Sequence, residues 1–475
     1  MNLSSRIAYL ARHRGNAVAI EAADIGLTYS DLERRIRQIA RLLRQRGVAR
    51  GDAVGLRLRD TPEHLAANFA VMRLGATILP IDWRGTRPEQ ERLLAEFRPR
   101  AVLVDDEVPG GWSAASAPVS DARGLGPDES EPVDAAGIPY VFLLTSGTTG
   151  RPKAMPVTHE NLFARFSTRS LEGVFSRDDR FLAGLPVTYA AGREHALCAL
   201  LGGATLVLFL PLFEPSELVS RVNDGAITAL SLSPNSIAAL VEARHRHPVA
   251  MPALRAFVST TGRLQPEDRR LVRQFVTPRL IDYYGSTGTG MIAVISSEMD
   301  GDDPSLAGRP AVGIEVEIAD EHGRSVGAGV SGLVRVRGPG VVGPGADAAA
   351  NATEGFRDGW YYPGDYGRMG EDGLLRLDGR SADLIKRGGL MVHAQEVEQA
   401  LREHPLVADA AVVGATSARL GQEVIAFVVL RSPLGERELV AHCRQRLAPF
   451  KVPARFEFRS ELPRNANGKV VKSLL

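Results

Sequence analysis

The hydrophobic and polar positions in the first part of the chain alternate between helical and strand-like spacing. Apolar residues recur at helical spacing over 29–46, the short apolar run 53–56 follows, and a second helical run over 64–74 leads into the strand-like segment 76–81. Strands that alternate with helices favour parallel sheets covered by helices on both faces. This part of the chain therefore predicts an α/β fold.

The pattern changes near residue 313, where short strands separated by glycine turns predict a β-rich subdomain over about 313–378. Beyond it the chain predicts, in order, a helix at 394–403, strands at 408–413 and 424–430, and a helix at 436–447. The size of that stretch is typical of a small α+β domain. We therefore predict an N-terminal domain over 1–378, a boundary at 379–383 and a C-terminal domain over 384–475.

The sequence predicts neither a signal peptide nor a membrane span. Its first 15 residues contain dispersed arginines and no apolar core before a small-residue cleavage site. The apolar run 196–213 is long enough to cross a bilayer, but Gly202 and Gly203 interrupt it, so we predict a buried helix, a turn and a strand. Cys198 and Cys443 are predicted to be buried thiols, which fits a reducing cytoplasm.

Composition and charge exclude several classes of function. The chain has 475 residues and a formal net charge of +1, with 44% hydrophobic and 24% charged residues. This balance excludes a disordered or collagen-like chain, and it offers no broad basic face for nucleic acid or an anionic membrane. Lysine is rare among the 57 basic residues, and it occurs at positions 153, 386, 451, 469 and 472. Each lysine is therefore a candidate for a specific role.

A candidate phosphate-binding loop follows the short apolar strand predicted at 140–144. The loop has the sequence Thr145-Ser-Gly-Thr-Thr-Gly-Arg-Pro-Lys153. Its glycines allow backbone N–H groups to approach an anion, its hydroxyls add donors, and its lysine supplies positive charge. A solvent-exposed linker is the alternative on composition alone. The loop is not a Walker motif, because Gly-Lys-Ser/Thr is missing.

With this loop the chain resembles the acyl-adenylate-forming superfamily of acyl- and aryl-CoA synthetases, peptide-synthetase adenylation domains and luciferases. The resemblance covers nearly the whole chain. It is carried by Ser146-Gly-Thr-Thr-Gly-Arg-Pro-Lys153, Leu185-Pro186 with Gly192, Tyr284-Gly-Ser-Thr287, Tyr362-Pro-Gly-Asp365, Gly379-Arg380, Lys386-Arg-Gly-Gly, and Pro463-Arg-Asn-Ala-Asn-Gly-Lys469. It implies a large N-terminal domain of stacked mixed or parallel sheets and a small mobile C-terminal lid.

The resemblance also implies a first reaction in which a carboxylate attacks the α-phosphate of ATP and gives acyl-AMP and pyrophosphate. The residues that it assigns to the β- and γ-phosphates are Thr145, Ser146, Gly147, Thr148, Thr149 and Lys153. Thr287 would bind the α-phosphate, and Lys469 would bridge the carboxylate and phosphate. The residues assigned to adenine are Tyr284, Thr261, Gly262, Asp282 and Tyr283, and those assigned to ribose are Asp365 and Arg380.

A second set of residues concerns the acid and the later transfer step. The resemblance places Tyr189, Ala190, Gly192 and Gly285 at the acyl pocket, and Lys386, Gly388 and Gly389 on the face used for transfer to a thiol. Arg193, Glu194 and His195 either contact a polar group of the acid or form an exposed helix start. A solvated surface position is the alternative for Lys386, and Lys451 and Lys472 are expected to be surface charges.

The chain departs from the family pattern at three places. The tyrosine motif usually ends in Thr-Glu, whose glutamate helps to bind Mg²⁺, but here it is Thr287-Gly288, so the protein ligand of a metal is left open. The hinge position, usually Asp or Lys, is Ala382. The usual Gly-Gly-Ala-Pro beside adenine is Thr260-Thr-Gly-Arg263.

The expected activity is that of an ATP-dependent acid–thiol ligase with Mg²⁺ as a cofactor. Amino-acid-activating relatives place an aspartate at the segment occupied by Tyr189 and Ala190, so an aryl or acyl acid is favoured. The expected acceptor is coenzyme A, with a separate carrier protein or an amine as alternatives. A homologue that binds nucleotide but has impaired catalysis is an alternative of a different functional class, and Gly288 and Ala382 suggest it. The acid's identity and the oligomeric state are left open.

Overall fold

The computed structural model describes residues 1–22, 25–106, 115–146, 152–209, 214–296, 299, 303–343, 355–388, 390–417, 419–464 and 470–475. The α-helices in these segments are α1 (Ser4–His13), α2 (Tyr29–Gln45), α3 (Pro62–Arg73), α4 (Arg87–Phe97), α5 (His159–Leu171), α6 (Ala190–Gly202), α7 (Pro215–Asp224), α8 (Pro234–Glu242), α9 (Pro266–Leu271), α10 (Ala394–Arg402) and α11 (Glu436–Arg444).

The strands belong to three sheets. They are β1 (Val18–Ala22), β2 (Ile25–Thr28), β3 (Ala53–Arg57), β4 (Thr77–Pro80), β5 (Ala101–Val104), β6 (Ser116–Pro118), β7 (Pro139–Ser146), β8 (Pro152–Thr158), β9 (Arg180–Ala183), β10 (Thr205–Leu208), β11 (Ala229–Leu232), β12 (Ala256–Ser259), β13 (Leu280–Ser286), β14 (Gly290–Ile295), β15 (Leu306–Pro310), β16 (Glu315–Ala319), β17 (Gly332–Arg337), β18 (Phe356–Arg357), β19 (Trp360–Tyr361), β20 (Asp365–Met369), β21 (Leu375–Arg380), β22 (Leu384–Arg387), β23 (Leu390–His393), β24 (Val407–Ser417), β25 (Gly421–Leu430) and β26 (Arg455–Arg459).

Two large sheets form the part of the molecule before residue 381, and both are largely parallel where α-helices alternate with strands. One sheet has the order β6-β5-β3-β4-β7-β8, with only the β7–β8 hairpin antiparallel. The other runs β18-β19-β17-β20-β21-β15-β14-β13-β12-β11-β9-β10-β1-β2, with β16 on β17. Its β10-β9-β11-β12-β13 core is parallel, and pairing turns antiparallel at β14. The α/β prediction is confirmed.

Helix α2 illustrates how local sequence fixes these elements. Thr28 caps its N-terminus by accepting from the Asp31 backbone N–H, and the Asp31 side chain in turn accepts from the backbone N–H of Thr28. Leu32, Ile36 and Leu43, spaced at helical intervals, are fully buried against the core. Burial of such a stripe supplies most of the stability of a helix of this length.

Helix α6 belongs to a different type, because it is buried all round. Its second half, from Ala196 to Leu201, is at most 2% exposed. The helix ends at Gly202, Gly203 adopts a left-handed conformation and β10 follows, as predicted for this run. None of the helices in the described part of the chain combines the length and apolar character needed to cross a membrane. Both cysteines are buried and unpaired, as predicted.

The residues after 383 form the third sheet, β23-β22-β25-β24 with β26 on β25. Helices α10 and α11 pack on it through an apolar cluster of their own that includes Val397, Leu401 and Leu439. A short 3₁₀ turn, Ser381–Asp383, precedes this sheet and lies in the predicted boundary at 379–383. The strands exceed their predicted lengths, since β24 and β25 form a hairpin paired over Val407–Ser417 and Gly421–Leu430.

Candidate active site

A cavity of about 570 Å³ opens at the carboxyl ends of the parallel strands. Its lining residues come from the segments 80–82 after β4, 143–144 in β7, 185–194 after β9, 260–261 after β12 and 283–288 in and after β13. Both large sheets therefore contribute to one space. Ligands of open α/β sheets bind in this position, where loops leave the strand ends.

Three polar side chains meet beside this cavity. Strands β20 and β21 pair Asp365 with Arg380, whose Nε lies 3.2 Å from Asp365 Oδ1. The Tyr284 hydroxyl on β13 donates to Asp365 Oδ2 at 2.5 Å. Burial and then the Asp365 charge raise the pKa of Tyr284 well above its usual range, so the hydroxyl remains a donor. The structure thus brings together Tyr284, Asp365 and Arg380, which the sequence assigned to adenine and ribose.

Gly288 lines the cavity directly after Thr287. A Cβ atom built on Gly288 would be 2.6 Å from Oη and 2.7 Å from Cζ of Tyr361. These distances are shorter than real Cβ atoms tolerate, so the Tyr361 ring occupies the space that a side chain at position 288 would need. The space into which the usual glutamate would project is therefore filled by a phenol.

This close approach predicts the effect of adding one methyl group. Gly288→Ala should lower the free energy of unfolding by about 1–3 kcal/mol, the usual cost of overpacking. The matched control is Gly262→Ala, because a Cβ there would lie 3.5 Å from Pro234, an ordinary contact. Urea denaturation of both variants tests the prediction, and equal stability of the two variants would contradict it.

The residues of the predicted acyl pocket line the other side of the cavity: Tyr189, Ala190, Gly192 and Gly285. The Tyr189 hydroxyl donates to Asp82 Oδ2 at 2.7 Å, and Arg84 Nε lies 3.1 Å from Asp82 Oδ1. Burial and the hydrogen bond to Asp82 raise the pKa of Tyr189 to about 12. A Cβ on Gly192 would be 2.1 Å from the Pro186 carbonyl oxygen, so only glycine allows α6 to begin this close to the preceding loop.

A buried charge cluster, formed by Arg165 and Arg169 of α5 and Glu194 of α6, contributes to the cavity wall. Arg165 Nη1 and Glu194 Oε1 are hydrogen-bonded, and Arg169 Nη2 donates to Glu194 Oε2 at 2.7 Å. Burial alone would raise the pKa of Glu194, but the charges and hydrogen bonds of the two arginines outweigh it and lower this pKa to about 2. Arg165 also donates to the carbonyls of Thr287 and Gly340.

The sequence prediction missed Arg165 and Arg169. The signal that could have identified them is the spacing of two charged residues four positions apart, which places both on the buried face of α5. The alternative of an exposed helix start for Arg193, Glu194 and His195 is wrong, because each is at most 2% exposed. Arg193 donates to the Thr188 carbonyl. His195 Nε2 lies 3.0 Å from the Tyr283 hydroxyl, and burial, followed by the nearby Arg169 charge, lowers the pKa of His195 to about 3.

The remaining residues assigned to adenine lie along β12 and β13. Thr261 lines the cavity in a left-handed conformation with φ of 78°. Asp282 alternates onto the same face of β13 as Tyr284, and burial raises the pKa of Asp282 to about 6. Tyr283 faces the opposite side, toward His195. A Cβ atom built on Gly262 would face Pro234, which begins α8.

The predicted phosphate loop connects β7 with β8. The hairpin register pairs Thr145 with Lys153 and Ser146 with Pro152, so the two ends of the loop are adjacent on the backbone. The side chains of Thr145, Ser146 and Lys153 lie outside the described set. Gly147, Thr148 and Thr149 lie wholly outside the described residues, and so do Gly389 and Lys469 of the C-terminal part.

The lysines of the C-terminal domain have different environments. Lys386 is exposed on β22, and Gly388, at φ of 58°, donates its N–H to Leu420. Lys451 and Lys472, expected to be surface charges, are partly exposed and each is ion-paired: Lys451 Nζ lies 2.6 Å from Glu396 Oε1, and Lys472 Nζ lies 2.7 Å from Glu398 Oε1. Both lysine side chains are 23% exposed. The hinge residue Ala382 lies in the 3₁₀ turn, and its side chain is outside the described set.

The residues present do not provide the usual protein ligand for Mg²⁺. Position 288 carries no carboxylate, and Asp82 and Glu194, the described acidic residues that line the cavity, are already paired with arginines. Within the described ranges there is no group of three or more His, Cys, Asp and Glu side chains arranged to hold a metal. We therefore assign no step of the chemistry to a protein-bound metal.

The fold and the cavity agree with those that the sequence resemblance implies, namely a large domain that activates carboxylic acids with ATP and a small C-terminal domain. Family models agree: the AMP-binding enzyme model matches residues 8–343, and the AMP-binding enzyme C-terminal domain model matches 396–469. The chain belongs to the AMP-binding enzyme family. The predicted superfamily and the predicted enzyme class, an AMP-forming acid–thiol ligase, are confirmed.

Curated relatives and solved structures extend over nearly the whole chain. Indoleacetate–CoA ligase of Aromatoleum aromaticum is 31% identical, over 98% of this chain and 96% of the relative. The 2-succinylbenzoate–CoA ligase of Bacillus licheniformis is 30% identical, over 96% of each. The structure of o-succinylbenzoate CoA synthetase from Bacillus subtilis with its acyl-adenylate intermediate matches with a TM-score of 0.89 and 26% identity, over 98% of this chain and 97% of that chain.

Proposed function

We propose that the protein activates an aryl or acyl carboxylic acid and transfers the acyl group to the thiol of coenzyme A. In the first step a carboxylate oxygen attacks the α-phosphorus of ATP, a new P–O bond forms, and the bond to the bridging oxygen breaks to release pyrophosphate. In the second step the thiolate sulfur attacks the acyl carbon, and AMP leaves with the carboxylate oxygen. The 31% identical relative is named as a ligase of this kind.

The continuity of the cavity is the observation that carries this proposal. Arg380, beside Asp365, lines the same space as Tyr189, Gly192 and Thr287. A nucleotide held near Asp365 and an acid held near Tyr189 would therefore share one cavity. Holding two reactants in such proximity removes much of the entropic barrier to their reaction.

Each group of the nucleotide has a proposed partner. Asp365 accepts hydrogen bonds from the ribose hydroxyls, replacing the bond that it now receives from Tyr284, and Arg380 stabilises its charge. Tyr284 then contacts adenine, and Thr261, Gly262 and Asp282 surround the same base. Tyr283, in contrast, faces His195, so we now assign it to the acyl side. Thr287 binds the α-phosphate, and the loop from Thr145 to Lys153 holds the β- and γ-phosphates.

The charges around the cavity favour an acid without an α-amino group. A substrate ammonium would need an unpaired carboxylate, but Asp82 is paired with Arg84, and Glu194 with two arginines. Ala190, at the segment where amino-acid-activating relatives carry an aspartate, offers none. Leu143, Leu144 and Leu185 supply apolar wall instead.

The transfer step is proposed to use the C-terminal domain as a lid. We propose that residues 384–475 rotate about 379–383, that Lys469 enters the cavity for adenylation, and that Lys386, Gly388 and Gly389 face it for transfer. Ala382 offers no polar side chain to exchange partners between two lid positions, so the backbone alone serves as the hinge. A carrier-protein thiol or an amine is the second candidate acceptor, and Mg²⁺ is proposed to arrive bound to the phosphates of ATP.

The deciding experiment measures acid-dependent exchange of labelled pyrophosphate into ATP over a panel of aryl, short-chain, long-chain and dicarboxylic acids. Exchange with at least one acid, followed by thioester formation when coenzyme A is added, is the expected result. Exchange without consumption of coenzyme A would favour the carrier-protein or amine acceptor. No exchange with any acid at high Mg²⁺ would overturn the proposal and favour a nucleotide-binding protein without ligase activity.

A further inference from the structure

The charge cluster in the cavity wall carries an excess of positive charge. Two guanidiniums, those of Arg165 and Arg169, share the carboxylate of Glu194, and all three side chains are at most 3% exposed. His195 beside them is neutral at physiological pH, because burial, with Arg169 nearby, lowers its pKa to about 3. A buried charge without a counter-charge is costly. The cluster therefore favours an additional anion.

The hydrogen bonds show which arginine is available. Each of the three nitrogens of Arg165 donates a hydrogen bond, to the Gly340 carbonyl, to Glu194 and to the Thr287 carbonyl. Arg169 uses Nη2 for Glu194, whereas its buried Nε and Nη1 have no hydrogen-bond partner among the described residues. The Cys198 thiol lies beside Arg169, but a neutral thiol accepts hydrogen bonds only weakly.

The position of Arg169 links this unused capacity to the substrate. Arg169 lines the same cavity as Tyr189 and Gly285, the residues of the acyl side. Its partner Glu194 lies on α6, two residues after Gly192 of the predicted acyl pocket. We therefore assign an anion at Arg169 to the acid and not to ATP.

We propose that the acid carries a second anionic group, remote from the carboxylate that is activated, and that Arg169 binds this group. The inference rests on the proposed function and names its substrate class: dicarboxylic acids, aliphatic or aromatic. A guanidinium suits the task because its planar donors match a carboxylate. A purely apolar acid gains no such charge pair, so the preference for a second anionic group comes from the added contact.

Matched acid pairs test the inference on the unmodified protein. Each pair contains a monocarboxylic acid and the acid of the same carbon skeleton with a second, remote carboxylate, and pyrophosphate exchange gives kcat/KM for both. We expect at least one dicarboxylic acid to exceed its partner about 30-fold or more, the size typical of a buried charge pair. If every monocarboxylic acid equalled or exceeded its partner, the inference would be overturned.

A variant identifies the residue. Arg169→Gln should lower kcat/KM for the dicarboxylic acid by about 30-fold or more, mainly through KM, and leave that of the monocarboxylic partner within about threefold. Arg309→Gln is the matched control, because Arg309 pairs with Glu172 at the end of α5 but does not line the cavity. An equal loss with both acids would mean that Arg169 has only a structural role, which contradicts the inference.

A binding measurement separates this inference from the proposed function. Dicarboxylic acids without ATP should raise the melting temperature of the wild-type protein, whereas their monocarboxylic partners at equal concentration should not. Arg169→Lys, which keeps the charge but not the planar donors, should weaken this effect. Stabilisation by the dicarboxylic acids without pyrophosphate exchange would refute the ligase activity and support the anion site. Pyrophosphate exchange together with equal stabilisation by both acids would support the ligase activity and refute the anion site.

Discussion

Replacing Glu194 with glutamine should lower the free energy of unfolding by about 3–5 kcal/mol. The substitution keeps the size of the side chain but removes its charge, and it leaves Arg165 and Arg169 as buried cations with no carboxylate between them. The cost comes mainly from those two unbalanced charges, because solvent screens little at side chains that are at most 3% exposed. Urea denaturation followed by circular dichroism measures the loss.

The same variant should show a defined pH dependence. The pKa of Glu194 is lowered from 4.5 to about 2 in the folded protein. Its contribution to stability is therefore complete above about pH 4.5, and it is lost as the pH falls toward 2. The difference between the wild type and Glu194→Gln should shrink over that interval.

An exposed ion pair provides the control for this prediction. Glu315 pairs with Arg337, and their side chains are 63% and 50% exposed. Glu315→Gln should change the stability far less, because solvent screens such a pair. Equal losses for Glu194→Gln and Glu315→Gln would contradict the role that we assign to burial.

Replacing Lys469 with alanine should reduce acid-dependent pyrophosphate exchange by about 100-fold or more. The family resemblance assigns this ammonium to the meeting point of carboxylate and α-phosphate, where loss of one aligned donor has an effect of that size. The free energy of unfolding should stay within about 0.5 kcal/mol of the wild type, because the Pro-, Asn- and Gly-rich sequence around Lys469 predicts a loop and not a core position. Kinetics and denaturation on the same preparation separate the two effects.

Lys451→Ala is the matched control for Lys469. Lys451 lies in the same domain but is paired with Glu396 through contacts of 2.6 and 2.7 Å, so its removal should leave exchange nearly unchanged. Exchange at the wild-type rate in Lys469→Ala would remove that lysine from the proposed mechanism.

Long periodic segments of the fold were predictable from the sequence. The helical run at 29–46 appears as α2, and the helix expected at 394–403 appears as α10. The less regular segments were harder to predict. Residues 105–135 are rich in Asp, Pro, Gly and Ser, a composition typical of loops. The described part of this segment nevertheless contains strand β6 and the buried residues Val119 and Ala122. Only pairing with β5 defines such an edge strand.

The residues of the candidate site also differ in how far the sequence predicts them. Motifs of neighbouring residues predicted Thr287, Asp365 and Arg380 as site residues, and the structure places Thr287 and Arg380 in the cavity wall with Asp365 beside Arg380. The pairing of Arg169 with Glu194 joins residues 25 positions apart, and nothing local to either one indicates it. Whether a charge is buried depends on partners that only the tertiary fold supplies. The Tyr361 ring beside Gly288 was beyond prediction for the same reason.

The residues proposed to bind the nucleotide and those proposed to select the acid lie on different kinds of element, and this has a consequence for engineering. Tyr284, Asp365 and Arg380 lie on strands of one continuous sheet, whereas Arg169 and Glu194 lie on two helices. Under the proposed roles, the contacts that select the acid and those that bind the nucleotide therefore come from different elements. We expect substitutions at Arg169 to change acid selectivity while Tyr284, Asp365 and Arg380 keep their mutual contacts, which makes Arg169 the first position to vary in a search for new specificities.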